Sequence, residues 1–173
     1  HLERLQPVER EPESTAHEVW SLSGQAGITS RSQQLLADAD EEIISIVGTK
    51  GPLETKTIQR LNQAVDRGVD IYLGALDKEM RARLTESIAG AAVFESELGW
   101  LQNDIDAEGS HPAISRVLLI DRNVVLLGSL GPAMGEATER AIFGRGFTNG
   151  LLIVLRRILA TGLGTEGSLP KQE

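Results

Sequence analysis

The hydrophobic and polar positions repeat one phrase along the first half of the chain: a segment with helical spacing, a tight turn, then a short β-branched run. Ile28, Leu35, Leu36 and Ala39 fall on one helical face, with Thr29 or Ser30 as the expected cap. Ile43-Ile44-Ser45-Ile46-Val47 follows as a strand and ends at Gly48. Pro52 suits the first position of a second helix, whose apolar face is Leu53, Thr57, Leu61, Ala64 and Val65. Gly68 stops that helix, and Val69 to Leu73 is the next strand. A third helix is expected from Asp77 through Met80, Leu84 and Ile88, and a short strand over Ala91 to Phe94. Alternating helix and strand predict parallel strands covered by helices.

The second half reads differently. Residues 96–113 have no sustained period and are expected to form a surface loop carrying Trp100 and the carboxylates Asp104, Asp106 and Glu108. Val117 to Ile120, the turn Asp121-Arg122-Asn123 and Val124 to Leu127 form a hairpin whose strands are apolar on both faces. Gly128 to Gly135 reads as a flexible loop, and Ala141-Ile142-Phe143 as an edge strand. A closing helix from about Phe147 to Ala160 carries a wide apolar stripe through Leu151, Val154, Leu155, Ile158 and Leu159, suited to a core or a dimer interface. Val19, Trp20 and Leu22 make a first strand. The fold class is therefore α/β, a mixed and mainly parallel sheet with helices on both faces. Residues 1–16 are expected to be a linker, 17–162 the domain, and 163–173 a mobile tail.

Composition narrows the function. The chain has 173 residues, 40% hydrophobic but only 3% aromatic, so its core is aliphatic. Without cysteine there is no disulfide, no thiolate nucleophile and no cysteine metal site. The polar N-terminus and the lack of a long apolar run point to a soluble cytoplasmic protein away from membranes. A net charge of −8 disfavours direct binding to phosphate backbones. Lys50, Lys56, Lys78 and Lys171 are the only lysines, and excess carboxylate with little lysine suits a salt-loving source. His1, His17 and His111 are scattered without metal-ligand spacing, and no cofactor is implied.

Three local features could carry chemistry. Gly48-Thr49-Lys50-Gly51-Pro52 closes a strand and opens a helix, where an anion can sit, but it lacks P-loop spacing, and a plain β–α turn is the better reading. Trp20 and Trp100 could stack on a sugar ring or serve as packing. The hairpin is the most specific. Ser115 to Asp121, followed by Val124 to Leu127 and Gly128-Ser129, resembles the signature region of the phospholipase D superfamily, His-x-Lys-x4-Asp followed by an apolar strand and Gly-Ser. In that family the His attacks phosphorus and the Lys holds the phosphoryl oxygens. Counting back from Asp121 puts Ile114 in the His position and Arg116 in the Lys position, while His111 is three residues early. The resemblance thus implies a phospholipase-D-like fold with the reaction lost.

Val19 to Gly24, Gly68 to Ile71 and Phe147 to Ala160, taken with the hairpin, resemble archaeal TrmB-type transcriptional regulators over about residues 17–162, especially short haloarchaeal members. That family joins a winged-helix DNA-binding domain to a phospholipase-D-like domain, and several members sense sugars. The residues ahead of Val19 are too few for a winged helix. The resemblance therefore implies a non-catalytic effector-sensing and dimerisation domain, a homodimer that meets DNA only through a missing N-terminal winged-helix domain. The expected effector site is Gly48, Thr49, Lys50, Arg116, Asp121 and Ser129, with Lys50 and Arg116 favouring a sugar or an anionic metabolite. A dimerisation module without ligand and an active phosphodiesterase are the alternatives.

Overall fold

The computed structural model describes residues 19–48, 53–96, 113–131, 138–146 and 157. The elements run β1 (Val19–Ser23), α1 (Gln25–Asp38), β2 (Glu42–Val47), α2 (Thr55–Asp66), β3 (Asp70–Ala75), α3 (Lys78–Ser87), β4 (Ala92–Glu95), β5 (Ala113–Ile120), β6 (Val124–Gly131) and β7 (Thr138–Arg145). The seven strands form one sheet in the order β1-β7-β6-β5-β2-β3-β4. The sheet is mixed, as expected, but its parallel part is smaller than the helix–strand phrase suggested. Only β2–β3 and β3–β4 are parallel, and the β2–β5, β5–β6, β6–β7 and β1–β7 pairings are antiparallel. The reason is connection length. Helical crossovers α2 and α3 join the parallel strands, whereas residues 121–123 are too few to do anything but reverse the chain.

The main core lies between α1, α2, α3 and one face of the sheet, where Ile28, Leu35, Ile43, Leu61, Leu73, Leu118, Leu126 and Phe143 are buried together. A smaller cluster of Ile44, Ile46, Val117, Leu119 and Val125 occupies the opposite face. This division follows the two-residue alternation of β2, β5 and β6. All three described helices cover the first face. The expected closing helix, Arg157 apart, lies outside the described residues, as do the linker, the acidic loop and the tail.

Several boundaries moved for local reasons. Helix α1 begins at Gln25, ahead of the expected Thr29 or Ser30 cap. Gly24, at φ 90°, turns the chain off β1 while its N–H bonds the Glu139 carbonyl at 3.0 Å. Helix α3 begins at Lys78, one residue after the expected Asp77, which caps it instead: the Asp77 carboxylate accepts the Met80 N–H at 2.7 Å. Gly128 to Gly131, expected in a loop, continue β6. Strand β7 is longer than expected and lies inside the sheet, because β1 returns to pair along its outer side and becomes the edge itself.

Candidate functional site

The site grows out of an irregularity in the central strand. Ile114 pairs with Ser129 and Arg116 with Gly128, leaving Ser115 as an extra residue in β5. The bulge interrupts the alternation of faces. Ile114 packs with Tyr72 and Leu127 onto the second-face cluster, away from the helices. Ser115 and Arg116 both turn to the helix-covered face, where each bonds Glu139 of β7. Positions 114 and 116, which an unbroken strand would point to one face, are split between the two faces of the sheet. Ser115 is the neighbour of Arg116 in the cleft.

Glu139 is buried and holds three donors. Arg116 Nε reaches Oε1 at 2.7 Å and its Nη2 reaches Oε2 at 2.9 Å, a two-pronged ion pair. Ser115 Oγ donates to Oε1 at 2.7 Å. The cluster closes over Gly128. A Cβ at that position would lie 2.5 Å from Ser115 Oγ, 2.8 Å from Arg116 Cγ and 2.9 Å from Glu139 Oε1. Gly48 is similarly constrained: its N–H bonds the Ser115 carbonyl at 2.9 Å, and a Cβ would collide with the carbonyl oxygens of Ile114 and Ser115.

This cluster lines a cavity of about 300 Å³ between α1, the start of α2 and the sheet. Its wall is rich in hydroxyls: Thr29 and Ser32 from α1, Ser45 from β2, and Thr57 from α2. Gln33 ties the two helices there, its Nε2 donating to Thr57 Oγ1 at 2.6 Å. Among the described lining residues there is no imidazole, thiol or ammonium.

The six residues expected from the sequence separate. Gly48 and Arg116 meet at the bulge. Asp121 stands five positions further along β5, roughly 17 Å for an extended strand. Its carboxylate is taken by the backbone N–H groups of Asp40, Glu41 and Glu42 at 2.7–3.2 Å. Ser129 pairs with Ile114 and Arg140, on the opposite parity from Gly128 and Leu130, and so lies toward the other face of the sheet. Thr49 and Lys50 lie outside the described residues, as do His111 and Trp100. Glu139 and Ser115 were missed. The signal for Glu139 was present: Glu139, Ala141 and Phe143 share one parity in a strand, which puts the carboxylate on a buried face.

No family model and no curated protein matches the chain. Solved structures do. TrmBL2, described as an archaeal chromatin protein with a novel mode of DNA binding, aligns with a TM-score of 0.54 at 16% identity, over 84% of this chain and 52% of its own. This chain thus spans about half of that protein's length. NucT from Helicobacter pylori aligns with a TM-score of 0.57 at 12% identity, over 84% of this chain and 95% of its own. The fold is phospholipase-D-like. At these identities the likeness is one of fold alone, and what the phospholipase-D-like domain does here rests on its own residues. No helix among the described residues is long and apolar enough to cross a membrane.

Proposed function

We propose that this domain is the effector-sensing and dimerisation unit of a TrmB-like transcription regulator, and that it carries out no phosphodiester chemistry. One observation carries the reading: the β5 bulge turns Ile114 away and commits Ser115 and Arg116 to Glu139 at the bottom of a hydroxyl-lined cavity. Both Glu139 oxygens already accept hydrogen bonds from Arg116 and Ser115, so the cluster is suited to holding a ligand and not to attacking one. The fold likeness to TrmBL2 supports a link to DNA, with contact made through a separate winged-helix domain, because an excess of eight acidic charges makes this domain a weak partner for phosphates. The ligand shifts the balance between two dimer geometries and so alters half-site spacing on DNA.

The cavity also narrows the ligand. The sequence suggested a sugar or an anionic metabolite. Glu139 matches the charge of Arg116, and Glu54 adds a second carboxylate to the lining, so an uncharged polyhydroxyl compound fits better than an anion. The experiment is a melting-curve screen of the full chain against neutral sugars and their phosphates. Alongside it run a light-scattering mass and an assay with bis(p-nitrophenyl) phosphate. A dimer whose melting point rises with a neutral sugar, without hydrolysis, is expected. The phospholipase-D-like fold that NucT shares favours the enzymatic alternative, and turnover above background would establish it and end this reading. Flat melting curves would favour a ligand-free dimerisation module, to which the Arg116–Glu139 pair is equally suited.

A further inference from the structure

At the opposite end of β7 a different set of side chains converges. Trp20 on edge strand β1 sits directly across from Phe143 on β7, and the two rings stack with centroids 5.0 Å apart and planes inclined by 19°. Two arginines approach the same Phe143 ring. The Arg31 guanidinium carbon, from α1, is 5.1 Å from its centroid, and that of Arg145, two residues along β7, is 5.6 Å. Together with Ser21 and Leu22 these residues line an open depression of about 460 Å³. Glu139 and Arg145 are six positions apart on one strand, roughly 20 Å, so this depression is independent of the bulge cavity.

Packing accounts for only part of the arrangement. Phe143 is buried, but Trp20 is 40% exposed, an indole left half open on the surface. Among the described residues Arg31 hydrogen-bonds the neutral Gln34 Oε1 at 3.3 Å. Among the described residues neither Arg31 nor Arg145 is paired with a carboxylate. In a chain with net charge −8, two guanidinium groups on one ring, without acidic partners among the described residues, make a local positive spot beside an exposed aromatic face. Guanidinium forks recognise phosphate through paired N–H donors, and an indole stacks on a flat heterocycle.

We propose that Trp20, Arg31 and Arg145 form a mononucleotide site, with the base stacked on Trp20 and the phosphate held between the two arginines. A small ligand is favoured over a nucleic-acid strand because the chain carries a net charge of −8, and an extended phosphate backbone would meet repulsion on leaving the spot.

The test follows Trp20 fluorescence in the full chain carrying Trp100→Phe, titrated with adenosine monophosphate. Saturable quenching is expected. Adenosine and ribose 5-phosphate each supply half of the recognition and are expected to bind at least about tenfold more weakly. Arg31→Gln and Arg145→Gln, with melting points like the parent, are each expected to weaken the nucleotide at least about tenfold. Calorimetric titration of the unsubstituted chain gives the same answer should Trp100→Phe fail to fold. The proposal is overturned by absence of saturable binding, by adenosine binding as well as its phosphate, or by an affinity unchanged in both arginine variants. A short oligothymidylate that binds tenfold tighter than the mononucleotide through the same arginines would overturn it in favour of a nucleic-acid strand.

Discussion

Asp121 Oδ1 accepts the backbone N–H of Glu41 at 2.7 Å, joining the hairpin turn after β5 to the turn that leads into β2. The same carboxylate takes the N–H groups of Asp40 and Glu42. Three donors that would otherwise need water are thereby satisfied by one side chain about eighty residues away. Asp121 and Arg122 both have positive φ, 49° and 57°, with Asn123 N–H bonded to the Ile120 carbonyl. That backbone sense matches the twist of a hairpin, and aspartate tolerates it better than most residues. The carboxylate that a motif match places in a catalytic cleft is here a clamp between two turns.

Asp121→Ala should therefore lower stability, by about 2–3 kcal/mol, through the lost charge-assisted bonds and the less tolerant backbone. Asp121→Asn should recover part of this, since it keeps one acceptor oxygen and the tolerance of positive φ. Urea unfolding reads both values. Ligand response at the bulge cavity should be unchanged in either variant. Loss of that response with stability intact would return Asp121 to the site.

Gly128 is expected to be irreplaceable in proportion to how rigid its neighbours are. A methyl there meets Ser115 Oγ, Arg116 Cγ and Glu139 Oε1 at once, all held by mutual bonds. Gly128→Ala should cost about 1–3 kcal/mol, as overpacking does, and should abolish any ligand response of the cavity. Gly48→Ala should cost at least as much, because the obstructing atoms are backbone carbonyl oxygens that have no rotamer to escape to. Thermal melts of the two variants compare them directly, and a melting point equal to the parent's in both would contradict the close approach.

These residues also show where sequence reading reaches its limit. The hairpin, α2 and α3 were legible because their periods are local: apolar runs around a turn of Asp and Asn, a Gly68 stop, the spacing of Met80, Leu84 and Ile88. The position of β7 was not legible. Its inward residues Glu139, Ala141 and Phe143 mix a charge with a small and a large side chain, so the run looks like a marginal edge strand. Only its pairing with both β1 and β6 makes it internal. The bulge was the costlier omission. Inserting Ser115 into β5 leaves no trace in composition, yet it moves Ile114 to one face and Ser115 to the other. A motif read at fixed spacing assumes an unbroken strand, and one extra residue reassigns every position before it.

The Arg116–Glu139 pair should behave as a unit. Glu139 is buried, so Arg116→Met leaves a carboxylate without its counter-charge and should cost about 3 kcal/mol. The double variant Arg116→Met with Glu139→Leu removes both charges and should regain much of that loss. A double-mutant cycle by urea denaturation should then give a coupling of at least about 1 kcal/mol. Additive effects would mean that the pair contributes nothing as a pair and that the cavity has no fixed floor.

Ser45 offers the cleanest separation of folding from ligand binding. It lies on β2 across from Leu118, half-buried, and its side chain borders the cavity. A volume of about 300 Å³ is at the lower end of the range for small-molecule pockets, so a single added isobutyl group removes a large share of it. Ser45→Leu projects apolar atoms into existing space next to Leu36 and Val47, and should leave the melting point within about 2 °C of the parent's, in line with the small effects of unstrained substitutions. A neutral sugar at a hundredfold excess over its dissociation constant stabilises by about 2.7 kcal/mol, a rise of several degrees for a domain of this size. That rise should be present in the parent chain and absent in Ser45→Leu. An identical rise in both would place the sugar somewhere other than beside Arg116 and Glu139.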